Sequence, residues 1–253
     1  MTSKDAGCEP DGVVTIIVGD GHRSNALGEA AWRHLADGVI AASQAPETRV
    51  IVVKGHGDTF TAGSDLTEWE DADLSSVERC FAVMEQCFET IEHVSVPVIA
   101  AVEGSALGAG CQLALSCDLV VAGSSAVVGM PIARLGILAS PAFAARVSAK
   151  AGTAIAADLY LTGRSLRAQE AHACGLVARV VADGTAYEVA HRLAVQVGSL
   201  PSASLGAAKQ TLLALSRPAL ETPPGRHAPT VEIGAFHSAV AAFVHRHDCA
   251  EAS

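Results

Sequence analysis

Positive charge is scarce in this chain: 17 Lys and Arg stand against 27 Asp and Glu, a formal charge of −10. That balance argues against nucleic acid and against an acidic membrane surface, both of which are held through excess base. A basic stretch leading into an apolar one is missing from the N-terminal residues, so no secretory signal is expected and the cytoplasm is the natural compartment. The longest apolar stretch, Val96 to Gly123, is broken by Glu103, Asp118 and four glycines. It reads as buried strand, helix and strand rather than a bilayer span. Seven cysteines form an odd set without framework spacing, which argues against a disulfide scaffold. Cys80 and Cys87 share an apolar helix face with Met84 and Ile91, and Cys111 and Cys117 lie among small apolar residues. Core packing is expected of all four.

With 253 residues, 50% of them hydrophobic, the chain can bury a large core. Residues 1–11 read as a disordered tail, 12–198 as an α/β core and 199–253 as a C-terminal helical region. Strands are expected at Val13 to Val18, Arg49 to Val53, Pro97 to Val102, Asp118 to Ala122 and Leu176 to Val181. Their β-branched, fully apolar composition is that of buried parallel strands. Asn25 is placed to cap a helix with the stripe Leu27, Ala31, Leu35 and Val39. Ser75-Ser76-Val77-Glu78 has the pattern of a capping box before Val77, Phe81, Met84, Phe88 and Ile91. Helices are expected at 185–198, 203–216 and 230–246, with Arg217 to Pro229 a loop.

Two segments carry chemistry. Phe60-Thr61-Ala62-Gly63-Ser64-Asp65-Leu66 and Glu103-Gly104-Ser105-Ala106-Leu107-Gly108-Ala109-Gly110-Cys111-Gln112 each run from an apolar strand through small residues into a helix. Each can aim free backbone N–H groups at one point, and the glycines around Ala109 leave its N–H accessible. Two such donors are what an oxyanion hole requires. Tight helix–strand packing also uses small residues, so either segment alone is ambiguous. Gly104 to Gly108 centres on Ala106 rather than serine, which excludes the usual nucleophile elbow. Leu113 stands where a dinucleotide fingerprint needs its third glycine.

Other stretches extend the pattern: Ser24-Asn25-Ala26-Leu27, Pro97-Val98-Ile99-Ala100-Ala101-Val102-Glu103-Gly104 and Gly110-Cys111-Gln112-Leu113-Ala114-Leu115-Ser116-Cys117-Asp118. Leu161-Thr162-Gly163, Ala168-Gln169-Glu170-Ala171 and Gly175-Leu176-Val177 follow in order. Together they resemble the enoyl-CoA hydratase/isomerase (crotonase) superfamily over roughly residues 12–200. The resemblance implies a spiral of ββα units, with helices at 199–253 that build a homotrimer or a dimer of trimers. It implies acyl-CoA or enoyl-CoA thioesters as ligands, no further cofactor, no metal, and a place in fatty-acid or acyl-CoA metabolism. By the family pattern the N–H groups of Ser64 and Ala109 hold the thioester oxygen, with alanine standing where glycine is usual. Ala26, Leu27, Ala62, Asp65 and Leu66 match the backbone around the adenine and pantetheine portions. Gly63, Leu107, Gly108, Ile132 and Leu135 complete the expected substrate-binding set. Preorganised donors at such an oxygen are worth about 3–4 kcal/mol each.

The departures concern proton transfer. Hydratases of this family use two glutamates, and their positions here hold Gln112 and Ile132. A glutamine can orient water but exchanges no proton near neutral pH, and isoleucine does neither. A lost acid–base group costs about 10²–10⁴ in rate. Efficient hydration by the usual route is therefore not expected, and a catalytically silent acyl-CoA binding or carrier protein is the alternative to enolate-type chemistry. Pro141 and Phe143 read as bulk added to the acyl pocket. Glu68, Glu70, Asp71 and Asp73 could offer other acids, although solvated helix faces are their commoner role. Glu103 is expected to be a structural acceptor, His93 to sit at a helix end, and the His245-Arg246-His247-Asp248-Cys249 cluster not to hold metal. Arg23, Lys209 and Arg246 are candidate partners for CoA phosphates, with plain surface charge an equal reading.

Overall fold

A computed structural model describes residues 11–220, 230, 231 and 233–251. All but the last residue of the expected tail, and 221–229 of the expected loop, lie outside them. The chain makes the same backbone move four times in succession. In the first turn β1 (Val13–Val18) leads through the extended residue Leu27 into α1 (Glu29–Gln44). In the second, β2 (Val50–Gly55) leads through Thr61 and Ser64 into a 3-10 turn at Leu66–Trp69 and α2 (Leu74–His93). The third runs β3 (Val98–Val102), β4 (Ser105–Leu107) and α3 (Ala109–Ser116). The fourth runs β5 (Leu119–Gly123), β6 (Val127–Gly129), a 3-10 turn at Pro131–Leu135 and α4 (Pro141–Thr162). Thereafter come β7 (Ser165–Arg167), α5 (Ala168–Ala173), β8 (Arg179–Val181), α6 (Ala186–Gly198), α7 (Ser202–Leu220) and α8 (Ile233–Glu251).

The long strands form one parallel sheet in the order β1-β2-β3-β5-β8. The short ones form a second layer, in which Leu27 bridges Ser64, Thr61 bridges Ala106 of β4, and β4 pairs with β6. Antiparallel β7 closes that layer. In every turn one residue separates the second-layer residue from a helical start: Leu27 from Glu29, Ser64 from Leu66, Leu107 from Ala109, Gly129 from Pro131. Four helical beginnings are thus set side by side.

Both faces of the main sheet are covered, which explains the unbroken apolar strands. Side chains alternate along a strand. Val50, Val52, Ile99 and Val121 pack under Ala186, Ala190 and Leu193 of α6. Ile51, Val53, Val98 and Val102 join the larger core with Trp32, Phe88 and Leu113.

Several local expectations need correction. Asn25 does not cap α1; its N-cap is Gly28, and the Glu29 N–H is taken by Glu68 Oε2 at 3.0 Å. No Ser75 capping box forms, because Asp73 caps α2 by accepting from Ser76 N at 2.8 Å. The last strand is only Arg179–Val181, since the N–H groups of Leu176 and Val177 turn back to Ala171 O. The helix expected to end at 216 continues through Pro218 to Leu220.

Candidate active site

Residues Arg23, Ser24 and Asn25 have φ of 47°, 53° and 57°, three consecutive non-glycine residues in the left-handed region. Such a run is sterically costly, and Asn25 supplies the compensation. Fully buried, it accepts from Gly21 N at 2.8 Å and donates from Nδ2 to His56 O and Thr59 O at 2.9 and 2.8 Å. Its own carbonyl accepts from Thr61 Oγ1 at 2.6 Å, and that hydroxyl accepts from Gly63 N at 3.0 Å. One asparagine therefore ties the first turn of the spiral to the second.

The bridge between Leu27 and Ser64 uses the bonds Leu27 N to Gly63 O and Asp65 N to Leu27 O. In a parallel pairing of that register the Ser64 N–H points to the opposite side. Ala109 is the first residue of α3, after Gly108 at φ 53°, so its N–H has no intrahelical acceptor. Neither N–H makes a hydrogen bond among the described residues. The two loops touch: a Cβ on Gly63 would lie 2.7 Å from Leu107 O and 3.1 Å from Ala109 N. Small residues here are required by contact, not only by flexibility.

Ser64 and Ala109 both line a cavity of about 450 Å³. Of the expected set, Ala26, Ala62, Asp65, Leu66, Leu107, Gly108, Ile132 and Leu135 line it too. Leu27 and Gly63 do not: Leu27 is core, and Gly63 acts as the spacer between the loops. Trp69, Phe81, Met84, Ile137 and Phe143 make the inner wall, and Phe243 and Val244 of α8 complete it. Phe143 had a sequence signal in its bulk beside Pro141. Phe81 and Met84 carried only the signature of a core helix face, and nothing in the sequence placed α8 over the cavity.

The two positions expected to carry acids part company. Ile132 lines the cavity, whereas Gln112 is fully buried outside its lining. The Gln112 amide donates to Phe143 O at 3.2 Å and Tyr160 Oη at 3.3 Å and accepts from Arg146 Nη1 at 3.4 Å. Arg146 in turn pairs with Glu92 at 2.6 Å and with Glu85. Burial works against the Arg146 charge, but hydrogen bonds from it to both glutamates outweigh burial and keep it protonated. Burial pushes the Tyr160 hydroxyl far up, so it stays neutral.

Among the described residues Asp65 is the sole carboxylate lining the cavity. Burial alone would raise its pKa; hydrogen bonds from the Thr67 hydroxyl and N–H and from Arg23 outweigh this and hold it below the usual range. Arg23 reaches Asp65 Oδ2 and Thr67 Oγ1, both at 2.8 Å. Three other candidate acids are committed as backbone acceptors: Glu68 takes the Glu29 N–H at the start of α1, Asp73 caps α2, and Glu103 Oε1 accepts from Ala186 N at 2.8 Å. His93 Nδ1 lies 2.7 Å from Glu89 O. Lys209 cannot reach a ligand phosphate, being buried with Nζ on Ile91 O, Val96 O and Asp118 Oδ2 at 3.0, 3.2 and 2.9 Å. The Arg246 side chain is outside the description. Cys80, Cys87, Cys111 and Cys117 are buried free thiols, each pushed up to about 12 by burial.

A ββα spiral with two unpaired N–H groups in an apolar cavity defines a class, and sequence comparison identifies it. The family model for enoyl-CoA hydratase/isomerase matches residues 9–237, and the chain belongs to that family, within the crotonase superfamily. It is 37% identical over 188 residues to 2,3-dehydroadipyl-CoA hydratase of Escherichia coli K12, covering 74% of this chain and 73% of that one. It is 30% identical over 205 residues to enoyl-CoA hydratase domain-containing protein 3, mitochondrial, of Rattus norvegicus, covering 80% and 68%. A crystal structure of an enoyl-CoA hydratase/isomerase from Pseudoalteromonas atlantica superimposes with a TM-score of 0.80 at 28% identity, covering 93% of this chain and 94% of that one. No described helix is long and apolar enough to cross a membrane.

Proposed function

We propose that this protein binds acyl-CoA thioesters, polarises the thioester carbonyl with the N–H groups of Ser64 and Ala109, and does not hydrate enoyl-CoA by the paired-glutamate route. The observation that carries the reading is a pair of unpaired N–H groups on the wall of a cavity whose one described carboxylate is already bound to Arg23 and Thr67. Donors aimed at a developing oxyanion stabilise charge there, so an enolate or a polarised carbonyl is favoured. Proton delivery has no comparable support. Ile132 contributes only apolar surface, and Gln112 faces away into its bonds with Arg146 and Phe143. Binding without hydration is thus the outcome this geometry supports, in a cytoplasmic protein that works as a homotrimer or a dimer of trimers.

The test follows two signals at once in purified protein given crotonyl-CoA and longer enoyl-CoAs. Binding is measured by titration, and hydration by loss of the enoyl thioester absorbance. Saturable binding with no enzyme-dependent loss is expected. Turnover at ordinary enzymic rates, on the order of 1–10³ s⁻¹, would refute the claim about hydration, and failure to bind any CoA ester would refute the whole reading.

A further inference from the structure

Gln112 stands where the family resemblance places an acid, yet its amide is committed to the wall of the cavity. The chemistry of its partners fixes the orientation of that amide. A guanidinium only donates, so Arg146 Nη1 at 3.4 Å faces the amide oxygen; a carbonyl only accepts, so Phe143 O at 3.2 Å faces the NH₂. Phe143 lies in the first turn of α4, where Ser140 Oγ accepts from its N–H at 3.1 Å. Its ring lines the cavity while packing 6.3 Å from Phe81 and 6.0 Å from Phe88. Arg146, paired with Glu85 and Glu92, sits with its guanidinium 5.2 Å from the centre of the Phe88 ring.

We infer that Gln112 is a positioning residue that holds Phe143 as the inner wall of the cavity, and that Phe143 thereby limits the length of the acyl chain accepted. The inference rests on the acyl-CoA reading above. An acyl chain that outgrew the cavity would have to displace the Phe143 ring, already packed on Phe81 and Phe88, with the Arg146 guanidinium and its two carboxylates on the Phe88 side; apolar atoms gain nothing beside charges that must stay paired. The limit is therefore abrupt. Glutamate at 112 would place a third carboxylate around one guanidinium and offer Phe143 O no donor while ionised. The amide suits this wall; an acid does not.

The experiment measures dissociation constants of the full-length protein for saturated acyl-CoAs of increasing chain length. In the wild type, affinity rises roughly fourfold per added methylene while the cavity fills, then breaks. Phe143→Ala is expected to bind the chains just beyond that break about fifteenfold more tightly than wild type, the worth of roughly two buried methylenes. Phe143→Leu, a milder change, moves the break the same way by less, and carries the test if the alanine variant melts. Gln112→Leu also moves the break to longer chains, but adds nothing in the Phe143→Ala background, because it acts through that ring. An unmoved break in folded Phe143 variants overturns the inference. So does a Gln112→Leu shift of equal size in both backgrounds. If the wild type binds no acyl-CoA at all, the acyl-CoA reading itself fails, and the inference with it.

Discussion

At the residue scale the site is governed by which groups are already satisfied. Asp65 is held ionised by Thr67 and Arg23, so its carboxylate contributes to stability rather than to catalysis. Its folded pKa lies below the unfolded value of about 3.9. The stabilisation is therefore complete above that pH and is lost as pH falls through the lowered folded value. Asp65→Asn keeps an oxygen for Thr67 N but removes the titration. On acidification from about pH 5 to about pH 2, the wild-type melting temperature should fall further than that of Asp65→Asn. Parallel melting curves would show that the carboxylate carries no such linkage. Backbone placement is the more legible part: small residues between a strand and a helix signal close approach, and Ser64, Gly108 and Ala109 all line one cavity. Side-chain direction is less legible. Gln112 and Ile132 look equivalent as replaced acids, yet Ile132 lines the cavity and Gln112 faces the Arg146 cluster, a distinction that depends on α4 packing across α3.

At the element scale the fold is four copies of one backbone move, and this is why no repeat shows in the sequence. What recurs is a strand, an extended residue, one spacer and a helical start; the side chains at those places are unrelated. Strands are legible because both sheet faces are buried, and the α2 stripe follows from its periodicity. Caps are less so, since Glu68 reaches α1 from another turn of the spiral. Neighbouring turns meet at Gly63, whose φ of 102° and missing Cβ bring Ser64 beside Ala109. Gly63→Ala should therefore introduce about 1–3 kcal/mol of backbone strain and force the second and third turns apart. Acyl-CoA titration should show an affinity weaker by about two- to tenfold, the worth of one hydrogen bond to the carbonyl, while far-UV circular dichroism stays that of a folded chain. Undiminished binding by the folded variant would mean that the two N–H groups are not the thioester clamp.

At the scale of the whole molecule, the C-terminal helices divide their labour. α8 folds back over the 3-10 turns of the second and fourth spiral turns, setting Phe236 5.6 Å from Trp69 and His237 Nε2 2.8 Å from Ala72 O. Phe243 and Val244 line the cavity, so this chain's own α8 supplies part of its wall. α7 has the opposite character. One side packs on α4, while Leu212 and Leu215, one helical turn apart, are 65% and 76% exposed, and Leu161 at the end of α4 is 84% exposed. Leucines placed this way contribute little to the monomer, yet burying the exposed parts of Leu212 and Leu215 between copies would stabilise an assembly by roughly 2–4 kcal/mol per protomer. Leu212→Glu combined with Leu215→Glu should break the proposed homotrimer or dimer of trimers down to monomers in sedimentation velocity, since unpaired carboxylates do not enter an apolar contact. The same variant should still bind acyl-CoA, because its own α8 still supplies that part of the cavity wall. An unchanged assembly would remove α7 from the interface, and monomers that no longer bind would show that the cavity depends on a second copy after all.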